Sequence, residues 1–123
     1  MTRTLSLLIF FLVVHLYGAS AHAGISAKLV RYVDVSDDRI TFVYGGDVWL
    51  MPKTGGQATR LTSSPGEESW PRFSPDGQSV AYTASYAGNE DVYVVPVTGG
   101  VPTRLTWNSF SDRVLDWHPD GER

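Results

Sequence analysis

Three histidines, thirteen acidic residues and no cysteine are the raw material for chemistry in this 123-residue chain. His15 and His22 lie in an apolar leader, which leaves His118 as the one imidazole for acid–base or ligand work. A serine hydrolase of the Gly-x-Ser-x-Gly type needs its nucleophile on a strained elbow within reach of a base. No such elbow occurs. His118 stands in Trp117-His118-Pro119-Asp120-Gly121, at the place Ser74 takes in Phe73-Ser74-Pro75-Asp76-Gly77, and so reads as a turn residue. Asp34, Asp37 and Asp38 could approach a calcium ion, yet they bracket a turn, where short acidic side chains cap backbone N–H groups. Glu67 and Glu68 form an acidic pair expected in a solvated connection. Gly45-Gly46 and Gly55-Gly56 lack the lysine and following helix of a phosphate loop. Without cysteine there is no disulfide and no thiolate zinc site. The expectation is therefore no catalytic, cofactor-binding or metal-binding residue in this chain.

Composition narrows the partners. Ten Lys and Arg against thirteen Asp and Glu give a formal charge of −3, without the basic face of a nucleic-acid binder. Apolar content of 42% with four Trp describes a globular chain. Twelve Gly and seven Pro lean toward a turn-rich β protein. Arg3, the apolar run 5–16 and Ala21-His22-Ala23 have the layout of a secretory signal peptide over residues 1–23. The run is shorter than the roughly 20 apolar residues of a membrane span. Export to the periplasm or exterior is expected, leaving 100 residues of charge −4 and no membrane span after cleavage.

An internal repeat organises those residues. Asp47-Val48-Trp49-Leu50-Met51-Pro52 returns as Asp91-Val92-Tyr93-Val94-Val95-Pro96. Gly55-Gly56 and Thr59-Arg60-Leu61-Thr62 return as Gly99-Gly100 and Thr103-Arg104-Leu105-Thr106. Phe73-Ser74-Pro75-Asp76-Gly77 returns as Trp117-His118-Pro119-Asp120-Gly121. Each pair is offset by 44 residues, within the ~40–45 of a four-stranded propeller blade. Ile40, Phe42 and Tyr44 alternate with Thr41 and Val43, and Val92 and Val94 with Tyr93 and Val95. Apolar side chains on both faces require a sheet covered on both faces. The expected fold is all-β: an incomplete β-propeller of two four-stranded antiparallel blades plus the start of a third. Expected strands are 32–35, 39–44, 48–52 and 58–62, then 69–74, 79–83, 91–96 and 103–106. Blade one covers about 29–64 and blade two about 69–108, while 113–123 begins blade three.

Two blades cannot close a propeller of about four to eight. Val92, Val94, Ile40 and Phe42 are expected to be left open, favouring self-association of the chain alone. Among the tryptophans, Trp49 and Trp117 have aromatic repeat equivalents, Tyr93 and Phe73, as core positions do. Trp70 and Trp107 are the better surface candidates.

Phe73-Ser74-Pro75-Asp76-Gly77, Val80-Ala81-Tyr82, Asp91 to Val95, Gly99-Gly100 and Arg104-Leu105-Thr106 resemble the propeller repeat of TolB and the tricorn protease. The resemblance covers about residues 29–123. Leu29-Val30-Arg31-Tyr32, close behind the leader, and the run from Thr62 to Phe73 are similar to the start of exported tricorn-like proteins. TolB-like proteins instead open with an α/β domain. The tricorn resemblance implies a non-catalytic propeller that gates or docks peptides for a remote serine peptidase. Its partners would be a peptide or protein ligand, the remaining blades and the catalytic domains. The strands around 70–73 and 114–117 would line the channel. The alternatives are a TolB-like protein-binding module without enzymatic activity, and a propeller fused to another hydrolase such as an amidohydrolase.

Overall fold

The computed structural model of the chain describes residues 27–122; the expected signal peptide, 1–23, lies outside them. A 3-10 turn, Ala27–Leu29, leads into β1 (Arg31–Val35), β2 (Arg39–Tyr44), β3 (Asp47–Pro52) and β4 (Thr59–Arg60). These pair in order as one antiparallel sheet. The second sheet runs β5 (Glu68–Phe73), β6 (Ser79–Ala84), β7 (Asp91–Pro96) and β8 (Thr103–Arg104), in the same order. Both expected blades are present, and they do not close on themselves.

The central ladders follow the sequence pattern. Val43 pairs with Val48 and Thr41 with Leu50, so β2 and β3 share one face toward blade two. Tyr82 pairs with Tyr93 and Val80 with Val95, on the opposite-handed face of blade two. Val43, Val48 and Leu50 meet Phe73, Val80, Tyr82, Tyr93 and Val95 in one buried cluster. This is blade stacking, with unlike faces of the same repeat in contact. The repeat makes the open faces readable. Val48 and Leu50, at 0% and 9% exposure, lie under blade two. Their equivalents Val92 and Val94 are half-buried. Conversely, Tyr93 and Val95 are buried where Trp49 and Met51 are only half-buried.

Three expectations need correction. Phe42 is 4% exposed rather than open, with the large side chain of Trp49 directly opposite it on the β2–β3 ladder. The fourth strands contribute only two ladder residues each, not four or five. The Leu61 and Thr62 N–H groups converge on the single carbonyl of Val48, at 2.8 and 3.3 Å, and the Thr62 hydroxyl takes the Val48 N–H at 2.9 Å. A side chain thus replaces the next rung. Residues 114–117, expected as the first strand of blade three, carry no ladder. They still run along blade two: Val114 N–H donates to Thr83 Oγ1 at 2.9 Å, and Trp117 Nε1 donates to the Arg72 carbonyl at 3.0 Å.

The turns hold this register. The Gly77 N–H closes on the Ser74 carbonyl at 2.8 Å, and the Gly121 N–H on the His118 carbonyl at 2.9 Å. Gly66, in the link between blades, has φ +128°, and a Cβ there would stand 2.8 Å from the Ser85 carbonyl oxygen. That conformation and that contact leave room for glycine alone.

The two equivalent valines are an internal test of stacking. Val48→Ala should lower unfolding stability by about 2 kcal/mol, and Val92→Ala by less than about 1 kcal/mol. Urea denaturation of each variant measures both. Equal losses would mean that blade two does not cover blade one as described.

Candidate functional site

The first strand of each blade carries a bulge. Register shifts between Arg31 and Asp34 in β1, and between Ser69 and Arg72 in β5. Tyr32 at φ 53° and Trp70 at φ 54° occupy the same place in the two bulges. Bulky side chains seldom adopt left-handed backbone, and its cost of about 1–3 kcal/mol persists only where the surroundings enforce it. The result brings the rings together, with centroids 4.5 Å apart and planes at 43°. Arg113, from the segment that starts the next blade, sets its guanidinium 5.7 Å from the Trp70 ring. An aromatic–aromatic–cation row therefore crosses the first strands of successive blades.

These residues line a cleft of ≈ 610 Å³ together with Arg31, Glu67, Ser69 and Glu90. Arg113 pairs with Glu90 at 3.4 Å. Among the described residues Arg31 makes no ion pair. The cleft thus offers ring faces, a free guanidinium and the exposed Glu67 carboxylate.

Beneath it lies a group that sequence reasoning misplaced. Glu68 was expected in a solvated loop; it is 2% exposed, and only Glu67 is solvated. Glu68 accepts hydrogen bonds from the Val48 N–H at 2.8 Å and from the Thr62 and Tyr86 hydroxyls. The Tyr86 hydroxyl also lies 3.3 Å from that of Tyr82. Val48 and Thr62 belong to blade one, Glu68 and Tyr86 to blade two, so the carboxyl latches the blades together. Burial pushes its pKa above the ordinary value; the Thr62, Tyr86 and Val48 donors pull it down, and the nearby Asp47 charge adds to the rise. Burial also pushes the Tyr82 and Tyr86 hydroxyls up. Every donor around Glu68 is used within the latch, so its work is structural. The 44-residue offset could have pointed to it, since Glu68 and Asp112 both donate their N–H to the residue ahead of the repeated Asp, at 3.0 and 2.8 Å.

The other sequence candidates take local roles. Asp34 accepts the Phe73 N–H at 2.8 Å, tying β1 to β5. Asp38 meets Ser36 and Arg39, at 3.3 and 3.6 Å, in the β1–β2 turn. Asp37 stays exposed there. His118 holds Asp120 at 2.9 Å inside its own turn. Trp49 donates to the Tyr44 carbonyl at 3.0 Å. Trp107 is at the surface, while Trp70 is half-buried in the aromatic row. The Asp76 carboxyl is held below its ordinary value by the Ser74 hydroxyl and the Gln78 N–H. Among the described residues no group of three His, Asp or Glu side chains is placed to hold a metal ion.

Stacked four-stranded antiparallel blades joined by short links, with first strands lining one rim, define a β-propeller domain. The chain belongs to the family of tricorn protease N-terminal β-propeller domains, which it matches over residues 27–123. A protein of Streptomyces coelicolor assigned as tricorn protease homolog 2 is 43% identical over 56 residues. That match takes in 45% of this chain and 5% of the relative, so the chain spans a small fraction of the relative's length. The crystal structure of the tricorn protease superposes with a TM-score of 0.65 at 28% identity, over 76% of this chain and 10% of that one. A protein of Agrobacterium tumefaciens assigned as TolB gives 0.53 at 27% identity, over 61% of this chain and 28% of that one.

The Glu68 latch has a pH signature. A carboxyl whose folded pKa lies above its unfolded value of about 4.5 stabilises fully below that value, and loses its contribution as pH rises through the folded pKa. Melting temperatures of the native chain and Glu68→Gln between about pH 4 and pH 7 should therefore converge as pH rises. A native advantage that grows with pH would show that the three donors outweigh burial.

Proposed function

We propose that this chain is a non-catalytic propeller portion of an exported tricorn-type protease, where it docks or gates peptides for a peptidase site elsewhere. The observation that carries the reading is the aromatic row on the first strands. Two bulges hold Tyr32 and Trp70 in left-handed backbone beside a cleft of ≈ 610 Å³. Strained backbone of this kind gathers at ligand-handling positions, and the cleft is in the size range of ligand pockets. Ring faces and a free guanidinium suit a peptide, with apolar side chains against the rings and carbonyl or carboxylate oxygens toward Arg31. Family membership adds the remote peptidase and the further blades as partners. A TolB-like module that binds other proteins is the second reading, supported by the likeness to the Agrobacterium protein.

Hydrolysis is assigned elsewhere because His118, the one described imidazole, is engaged with Asp120 in a turn. The purified chain should leave a peptide library uncut, as read by mass spectrometry. Cleavage that survives repurification and is lost in His118→Ala would overturn the assignment. Export rests on the leader at 1–23. Expression in a secreting bacterial host should yield a protein whose N-terminal peptide begins at Gly24. A product that retains residues 1–23 in the cytoplasm would remove export from the reading.

A further inference from the structure

The contact between the two blades joins unlike faces. Blade one contributes Val48 and Leu50, and blade two answers with Val80, Tyr93 and Val95. Each blade has both faces, so each has one left over. On blade two it carries Val92 and Val94, the half-buried matches of Val48 and Leu50. Leu105, the match of Leu61, joins them and is 46% exposed. On blade one the spare face carries Ile40, Trp49 and Met51, the half-buried matches of Val80, Tyr93 and Val95. The ladders agree, since Ile40 pairs with Met51 as Val80 pairs with Val95. One chain therefore holds both halves of the blade-to-blade contact a second time, one half on each blade, on faces that point away from each other.

The link beside the spare face of blade two selects its cover. In the link 61–68 a Cβ on Gly66 would stand 2.8 Å from the Ser85 carbonyl oxygen and 3.1 Å from the Tyr86 ring. Both belong to the β6–β7 connection of the covering blade. In the link 105–112 the place of Gly66 is taken by Phe110, because Leu105 and Asp112 make the same backbone bonds as Leu61 and Glu68. A cover built like blade two would bring its long connection against the Phe110 ring. Blade one has only Gly45 and Gly46 between β2 and β3, and so no counterpart of Ser85 or Tyr86. Blade one is thus the cover that fits, and a second copy of the chain supplies it.

We propose that copies of this chain associate head to tail, with blade one of one copy covering the spare face of blade two of the next. The β1 strand that arrives takes the place of residues 114–117, which carry no ladder, whereas β1 is paired to β2. The exchange gives up the bonds of Val114 to Thr83 and of Trp117 to Arg72, so association depends on concentration. Contacts between unlike faces propagate until they close on themselves. With two blades per copy, about two to four copies complete a propeller of about four to eight blades.

Two variants test the polarity, because each spoils one spare face with a carboxylate that stacking would bury. Val94→Glu blocks blade two and Met51→Glu blocks blade one. Val94→Thr and Met51→Thr replace either variant if it loses the native far-UV circular dichroism. In sedimentation velocity the native purified chain should form a discrete small oligomer as its concentration rises. Each variant alone should remain a monomer over the same range. Mixed together, the two should form a pair of unlike copies, since one brings an intact blade one and the other an intact blade two. A variant that still associates by itself would show that like faces meet, and would overturn the proposal. So would a mixture that stays monomeric, or a native chain that is monomeric at every concentration, which would leave both faces to some other cover. Growth of the native chain without a discrete species would mean that copies meet by something other than blade stacking.

Discussion

Burying a sheet that is apolar on both faces requires a cover on each side, and here the cover is another copy of the same repeat. Blade one presents Val48 and Leu50 to blade two, and blade two answers with Tyr82, Tyr93 and Val95. The same sequence positions are tight where a neighbour exists and half-open where none does. Almost every other feature serves this stacking. The bulges turn the first strands, the glycine at 66 lets the link pass under Ser85, and Asp34 reaches across to the Phe73 N–H.

Apolar stacking is non-directional, so something must fix how far one blade slides on the next. Glu68 does this between blades one and two. A buried carboxyl is costly unless its acceptor capacity is used, and only one placement of the blades brings Val48, Thr62 and Tyr86 to it together. At the next junction the equivalent residue is Asp112, one methylene shorter. It bonds Asn108 instead, and Thr106 receives the Val92 N–H without it. The carboxyl has exchanged a latch between blades for a brace within a loop. That exchange gives the link 107–112 its own internal order.

Much of this was legible in the sequence because the repeat states it twice. Strands β2, β3, β6 and β7 announce themselves by alternation between turn residues, and the offset of 44 assigns them to blades. The Pro-Asp-Gly turns and the turn role of His118 follow from the same alignment. What stayed hidden depends on three-dimensional closure. Glu68 beside Glu67 looks like a solvated pair, and nothing local says that one of two adjacent carboxylates will meet two hydroxyls from distant strands. The short fourth strands were hidden for a related reason, since Thr62 spends its hydroxyl where a backbone carbonyl was expected. The left-handed Tyr32 and Trp70 were invisible too. Neither is a residue type that signals positive φ, and only the paired register shifts expose it.

The repeat also tells framework from specialisation. Where equivalent positions keep their residue type, as in Asp47 and Asp91 with Arg60 and Arg104, the pairs recur as ion pairs at 3.4 and 2.7 Å and hold the outer strands. Where they differ, the contacts differ with them: Glu68 latches two blades, while Asp112 braces the link 107–112. The differences gather at one end of the blades. The β6–β7 connection is longer than its β2–β3 counterpart and supplies Tyr86 and Asn89, one to the latch and one to the loop brace. Ser63 and Gly66 give way to Trp107 and Phe110 in the same region. Arg113 and Glu90 close the cleft there as well. A scaffold that repeats its core keeps that core alike from blade to blade. The end where its copies diverge is where the two blades differ in structure.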